Sequence, residues 1–137
     1  MGERLGQHFL RGTWAAHTLA KEARVTPGDT VLEIGPGKGV LTRELLKTGA
    51  RVVAIEKDET LVVCLEDAFK KEIAEGALKV IQEDVRNVTP LTLGLSPYQY
   101  VVAANIPYYI TGEILRQFLT TSAQPRTMAL LLPWLAT

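Results

Sequence analysis

The chain has 137 residues, enough for one domain with its own hydrophobic core. Lys and Arg together number 15, as do Asp and Glu, so the zero net charge gives no support to a large basic nucleic-acid footprint. No apolar run is long enough to span a bilayer, and no signal-peptide pattern opens the sequence. The single cysteine, Cys64, excludes an internal disulfide. We therefore expect a cytoplasmic protein without membrane contact, in which Cys64 is a small buried residue of a helix.

Strand and helix patterns alternate along the chain. Residues 1–24 are predicted to form a helical arm, and residues 25–137 the main domain. Five apolar runs predict buried strands, over residues 30–34, 51–55, 78–81, 100–104 and 127–132. Amphipathic patterns predict helices between them, over residues 41–47, 59–75 and 111–119. Buried strands separated by amphipathic helices predict an α/β fold with a Rossmann-like, doubly wound parallel sheet.

A glycine-rich turn, Gly35-Pro36-Gly37-Lys38-Gly39, follows the first predicted strand. A doubly wound sheet binds ligands at the carboxyl ends of its strands, and glycines allow a ligand to approach the backbone closely. Val40 replaces the last glycine of a dinucleotide fingerprint, which disfavours a nucleotide-dependent oxidoreductase, and the spacing of a P-loop is also missing. A tight structural turn remains an alternative.

Acidic residues end the next two predicted strands. Glu56 can accept hydrogen bonds from both ribose hydroxyls of an adenosine, and Asp84 can accept one from an adenine amine while Val85 packs against the ring. Each acid alone also fits a solvated strand end or a turn. Three matched strand ends together favour an adenosine-containing ligand. Glu33, inside the first strand, needs a partner, which is either local backbone or the glycine turn and its ligand.

The segment Asn105-Ile106-Pro107-Tyr108 follows the fourth predicted strand. It combines an amide, a stiffened backbone with an exposed carbonyl, and a flat aromatic face. A planar base with an exocyclic amine can stack on such a surface and form hydrogen bonds at its edge. The segment therefore indicates a substrate, whereas the upstream strand ends indicate a cofactor.

Together these motifs resemble those of the rRNA adenine N6-dimethyltransferases, which include the KsgA-type small-subunit dimethylases and the macrolide-resistance methylases. The resemblance spans residues 5–109 and rests on five segments, which are Leu5-Gly6-Gln7-His8-Phe9-Leu10, Val31–Gly39, Glu56, Asp84 and Asn105-Ile106-Pro107-Tyr108-Tyr109. It implies S-adenosylmethionine as the cofactor and no metal. The implied cofactor-binding residues come from the arm and from four strand ends, and they are Gln7, His8, Leu10, Gly35, Gly37, Glu56, Lys57, Asp84, Val85 and Asn105.

The resemblance also implies the reaction. Asn105 and the backbone carbonyl of Ile106 or Pro107 would bind the hydrogens of an adenine amine, and Tyr108 would stack on the extruded base. The implied activity is N6,N6-dimethylation of adenine in small-subunit rRNA during ribosome biogenesis, with a precursor of the small ribosomal subunit as partner. The alternatives are a large-subunit methylase of the macrolide-resistance type and a catalytically weakened fragment that binds cofactor or RNA.

Members of this family continue past the fifth strand with further strands and a small helical domain. This sequence instead runs into Pro133-Trp134-Leu135-Ala136-Thr137. The resemblance therefore implies that the domain of residues 25–137 is incomplete. The pattern leaves the oligomeric state open.

Overall fold

The computed structural model describes residues 13–131. Within them, five strands form one sheet in the order β3-β2-β1-β4-β5, and every neighbouring pair is parallel. The strands are β1 Thr30–Ile34, β2 Arg51–Glu56, β3 Leu78–Gln82, β4 Tyr100–Asn105 and β5 Thr127–Leu131. The predicted Rossmann-like, doubly wound sheet is confirmed.

Helices connect the strands and cover both faces of the sheet. They are α1 Thr13–Glu22, α2 Val40–Lys47, α3 Glu59–Ala68, α4 Lys70–Ala74 and α5 Tyr108–Leu119, with 3-10 turns at Val85–Asn87 and Leu91–Leu93. None of the helices within residues 13–131 has the length and apolarity to cross a membrane.

The core has two layers, because neighbouring strand residues point to opposite faces. In β1, Val31 faces the layer built with α1 to α4, whereas Leu32 and Ile34 face the layer built with α5. In the three central strands, β1, β2 and β4, nearly every residue is buried, as expected for parallel strands covered on both faces.

An ion pair closes the amino-terminal edge of the sheet. Arg126, just before β5, donates two hydrogen bonds to the carboxylate of Asp29, just before β1, at 3.0 and 3.2 Å. These bonds lower the pKa of Asp29 to about 2. Because β4 lies between β1 and β5, the pair joins strands that do not touch each other.

Three sequence expectations need correction. The helix predicted over residues 59–75 is interrupted at Phe69, whose φ of −118° and ψ of 33° separate α3 from α4. Cys64 is exposed, because Val62 and Leu65 form the buried side of α3 and Cys64 lies on the opposite side. The helix predicted to start near Thr111 starts three residues earlier, at Tyr108.

Candidate cofactor and substrate site

The strand ends singled out in the sequence meet at one edge of the sheet. Ile34 at the end of β1 lies opposite Ile55 of β2 and Ala104 of β4, so the residues that follow these strands emerge side by side. A Cβ atom added to Gly35 would lie 3.6 Å from the carbonyl oxygen of Asn105. The glycine turn and the Asn105 segment are therefore immediate neighbours.

The glycine turn needs two of its glycines for different reasons. Gly37 has a φ of +57°, a left-handed conformation that glycine adopts without strain, and an added Cβ would meet no atom of residues 13–131 within 4 Å. Gly39 has a φ of +89°, and an added Cβ would lie 2.6 Å from Cε2 of Phe69. The described residues thus leave the backbone of Gly37 uncovered, whereas Gly39 allows the turn to pack on α3.

Glu56 is linked to the glycine turn across the gap between β1 and β2. Its Oε1 accepts a hydrogen bond from the backbone N–H of Gly37 at 3.1 Å, and its Oε2 accepts one from Asp58 at 3.0 Å. The side chain is only 7% exposed. Each carboxylate oxygen has a further lone pair, so the oriented group can still accept hydroxyl hydrogens.

Asp58 in turn fixes the start of α3. Its side chain caps this helix by accepting the N–H groups of Thr60 and Leu61 at 2.8 and 3.2 Å. The strand end at Glu56 and the helix that follows it are therefore joined through short local hydrogen bonds. This arrangement limits how far the Glu56 carboxylate can move.

Glu33 is fully buried below the turn. Its Oε1 accepts a hydrogen bond from the Thr42 hydroxyl of α2 at 2.6 Å, so its partner is a side chain and not the local backbone. Within residues 13–131, Oε2 has no hydrogen-bond partner. Burial raises the pKa of Glu33 to about 8, the Thr42 bond opposes this shift, and the nearby Glu56 carboxylate adds to it. The carboxyl is therefore protonated at neutral pH in this structure.

Asp84 lies at the third strand end, and its carboxylate already has strong partners. Oδ1 accepts hydrogen bonds from the backbone N–H and the Nε of Arg86 at 2.9 and 3.0 Å, and Oδ2 accepts one from Nη2 of the same guanidinium at 2.7 Å. These bonds to Arg86 hold the pKa of Asp84 well below its usual range. Lys57 lies 3.9 Å away on the same carboxylate. An adenine amine would therefore share this carboxylate with Arg86, and Val85 beside it is almost entirely buried.

The segment from Asn105 to Tyr108 runs from the end of β4 into α5. Ile106 is buried and anchors the segment in the core, while the Tyr108 ring is 62% exposed. The Pro107 carbonyl already accepts hydrogen bonds from Ile110 N–H and Thr111 hydroxyl, at 3.2 and 3.1 Å. This favours the Ile106 carbonyl over that of Pro107 as an acceptor for a ligand.

Tyr109 extends the aromatic surface of this segment. Its ring packs edge-on against Tyr108, with centroids 5.7 Å apart and ring planes at 86°. Both rings are largely exposed at the start of α5. The segment therefore offers a flat surface next to the amide and carbonyl groups at the end of β4.

Helix α1 is the described helix of the predicted arm, and it contacts the domain. Glu44 of α2 is buried to 6% exposure, and it contacts Lys47 at 2.9 Å and His17 of α1 at 3.3 Å. His17 is largely exposed apart from this contact. Gln7, His8 and Leu10 lie outside the described residues, so their roles remain predictions. In the part of the chain that the structure describes, no group of three or more metal-ligating side chains is placed to hold an ion.

Sequence reasoning missed several residues that shape the site. Arg86, which holds Asp84, stands two residues after it, and an Asp-x-Arg spacing at a turn was an available signal. Thr42 and Phe69 act across elements, and no local pattern indicates their contacts with Glu33 and Gly39.

A family model described as "Ribosomal RNA adenine dimethylase" matches residues 2–135. The chain belongs to this family. A ribosomal RNA small subunit methyltransferase A from Dehalococcoides mccartyi is 40% identical over 127 residues, which are 93% of this chain and 43% of that protein. The protein of the same name from Caulobacter vibrioides is 41% identical over 126 residues, which are 92% and 47% of the two chains. The dimethylase-family chain thus spans less than half the length of these relatives.

Solved structures give the same fold. The 23S rRNA methyltransferase ErmE matches with a TM-score of 0.66 and 29% identity, over 80% of this chain and 41% of that chain. A dimethyladenosine transferase from Plasmodium falciparum matches with a TM-score of 0.62 and 28% identity, over 80% and 37%. An RNA methyltransferase from Salinibacter ruber, solved with S-adenosyl-L-homocysteine, shares the fold at 20% identity and a TM-score of 0.58, over 74% and 66%.

Proposed function

We propose that this chain binds S-adenosylmethionine and forms the catalytic part of an rRNA adenine N6,N6-dimethyltransferase. The observation that carries the proposal is the meeting of the glycine turn, Glu56, Asp84 and Asn105 at one edge of the sheet. Membership of the dimethylase family supports the same chemistry. The proposed setting is ribosome biogenesis in the cytoplasm.

The residues present fit the cofactor. Residues 13–131 leave the backbone at Gly37 open to the close approach of a ligand, and the oriented Glu56 carboxylate can accept two ribose hydroxyls. Asp84 and Val85 would bound the adenine, with Lys57 beside them. When bound, S-adenosylmethionine supplies a methyl group that is activated by its attachment to a sulfonium.

The substrate side follows from the segment at the end of β4. The lone pair of an adenine amine is delocalised into the ring, so the amine is a poor nucleophile. The Asn105 side-chain oxygen and the Ile106 carbonyl would accept its hydrogens and favour a pyramidal nitrogen, while Tyr108 stacks on the base. Since the transfer is an in-line displacement, alignment contributes more than a strong base. The exposed Tyr108 ring leaves room for a base extruded from a loop or single strand.

The proposed target is the small-subunit rRNA, within a precursor of the small ribosomal subunit. Relatives at about 40% identity are named for small-subunit methylation. The structural likeness to ErmE, a 23S rRNA methyltransferase, favours large-subunit methylation as the second candidate, at the lower identity of 29%. The family at large supports rRNA as the substrate class.

For the domain organisation, we propose that residues 1–24 close over the cofactor and that residues 25–137 bind it. Supporting this, α1, which is part of residues 1–24, packs against α2 and β5 on the face of the sheet that holds the glycine turn. The Glu44 contact with His17 strengthens that junction.

The decisive experiment combines labelled S-adenosylmethionine, undermethylated small ribosomal subunits and mapping of any modified adenine. Calorimetry with S-adenosylhomocysteine tests cofactor binding separately. A folded sample that binds neither the cofactor nor its product would refute the proposal. Label found only in large-subunit rRNA would support the second candidate.

Tyr108→Ala tests the substrate assignment. We expect methylation to fall about tenfold or more, since stacking of one base on an aromatic ring contributes roughly 1–3 kcal/mol. The dissociation constant of S-adenosylhomocysteine should change less than about twofold, because Tyr108 contacts the base and not the cofactor. Tyr98→Ala is the matched control, since Tyr98 is also 62% exposed but precedes β4 at the opposite edge of the sheet. Equal loss of methylation and cofactor binding in Tyr108→Ala would contradict the stacking role.

A further inference from the structure

Gln117 connects two parts of the site that are distant in sequence. It lies on α5, the helix that begins with Tyr108, and its side-chain amide is half-buried. The Nε2 group donates hydrogen bonds to the backbone carbonyls of Val85 and Val88, at 2.8 and 3.1 Å. Both hydrogens of the amide are therefore used on one short segment.

That segment, residues 84–88, is the wall of the site proposed for adenine. Its first turn is closed by bonds to Asp84, from the N–H groups of Arg86 and Asn87 at 2.9 Å each. These bonds are local and fix only the shape of the turn. The two bonds from Gln117 span about thirty residues and tie the turn to α5.

A charged residue lies on the same side of the helix as Gln117. Glu113 stands four residues before Gln117, so the two side chains lie on one side of the helix. Asp84, and to a smaller extent Glu113, raise the pKa of the Arg86 guanidinium. Helix α5 therefore faces residues 84–88 with one charged and one neutral group.

We propose that Gln117 is a positioning residue that holds residues 84–88, beside the site proposed for adenine, at a fixed distance from the substrate segment at the start of α5. Residues 105–108 would present the adenine amine of the substrate, and residues 84–88 would hold the cofactor adenine. A rigid helix between the two sets their separation. This proposal rests on the proposed function and adds a residue that specifies the geometry of its cofactor site.

The test uses Gln117→Met, which keeps the length of the side chain and removes the donors. Gln124→Met is the control, because Gln124 is also a partly exposed residue whose amide donates to a backbone carbonyl, that of Leu119 at 2.7 Å, in an exposed hydrogen bond beyond the far end of α5. We expect the dissociation constant of S-adenosylhomocysteine to rise about tenfold in Gln117→Met and less than about twofold in Gln124→Met. Melting temperatures without ligand are measured for both variants, so that a loss of stability is separated from a loss of affinity.

Two further measurements separate positioning from general loss of stability. 5′-Methylthioadenosine lacks the amino-acid part of the cofactor. Gln117→Met should weaken its binding by the same factor as that of S-adenosylhomocysteine, because the substitution affects the site proposed for adenine. Gln117→Glu has the same shape and no donor when ionised, so it should weaken binding as well. Equal effects of the Gln117 and Gln124 variants on affinity would overturn the proposal.

Amide hydrogen exchange tests the tether without a ligand. The amides of Arg86, Asn87 and Val88 should exchange faster in Gln117→Met than in Gln124→Met. Equal exchange in both variants would overturn the tether. If the native chain binds no cofactor, the proposed function fails, while the exchange measurement still decides the role of Gln117.

Discussion

Replacing Glu33 by Gln should make the folded chain less sensitive to alkaline pH. In the folded protein the carboxyl is fully buried and its pKa is raised to about 8, whereas the ordinary value is 4.5. Between these values the folded state keeps a proton that the unfolded state has released. The folded state therefore loses stability as pH rises from 4.5 towards 8. Gln cannot ionise, so the Glu33→Gln variant lacks this loss.

The size of the effect follows from the two pKa values. Between pH 5 and pH 8, the free energy of unfolding of the native sequence should fall by on the order of 3 kcal/mol more than that of the variant. At pH 5 the two proteins should be nearly equal, because a neutral carboxyl and an amide can both accept the Thr42 hydroxyl bond. At pH 8 the variant should be clearly more stable.

Urea unfolding at several pH values measures this difference. Glu66→Gln is the matched control for the loss of one carboxylate, since Glu66 is an exposed glutamate on α3. Other titrating groups contribute to both the native chain and the variant, so they cancel in the comparison. A difference between Glu33→Gln and the native chain that stays constant from pH 5 to pH 8 would refute the pKa and the burial argument behind it.

Two further predictions concern the frame around the site. Gly39→Ala should lower the free energy of unfolding by about 2–4 kcal/mol, because its Cβ would meet the Phe69 ring in addition to the backbone strain. Gly94→Ala, which has a similar positive φ but open space, should cost only about 1 kcal/mol, and equal losses in denaturant unfolding would contradict the packing role. Arg126 stabilises the ionised carboxyl of Asp29, so this ion pair adds to the stability of the native chain at pH values above 3.8, the ordinary pKa of the carboxyl. The contribution is lost as pH falls through about 2, and Asp29→Asn should remove it at every pH. Acid unfolding curves of the two proteins should therefore converge below pH 2, and curves that stay parallel would contradict the ion pair.

Sequence patterns predicted the sheet well because its strands are short, apolar runs with clear turn signals. The five strands differ from their predicted bounds by one residue or none. The edge at which Glu56 and Asn105 meet was also predictable, since parallel strands place their carboxyl ends together.

The failures arose where tertiary contacts override local pattern. Phe69 fits the apolar stripe of a continuous helix, but its ring packs against Gly39. The Arg43 guanidinium lies over the same ring, with its central carbon 4.9 Å from the ring centroid. Cys64 was expected inside, but only its neighbours Val62 and Leu65 face the core. Gln117 had no signal at all, because its partners are backbone carbonyls about thirty residues away.

The strand order has a consequence for synthesis on the ribosome. The central strand β1 pairs with β2 on one side and with β4 on the other. After β2 has been made, about fifty more residues must follow before β4 is complete and can cover the second edge of β1. At translation rates of about 5–20 residues per second, this wait lasts roughly 3–10 seconds. During that time an apolar strand edge is exposed to other nascent chains or to chaperones.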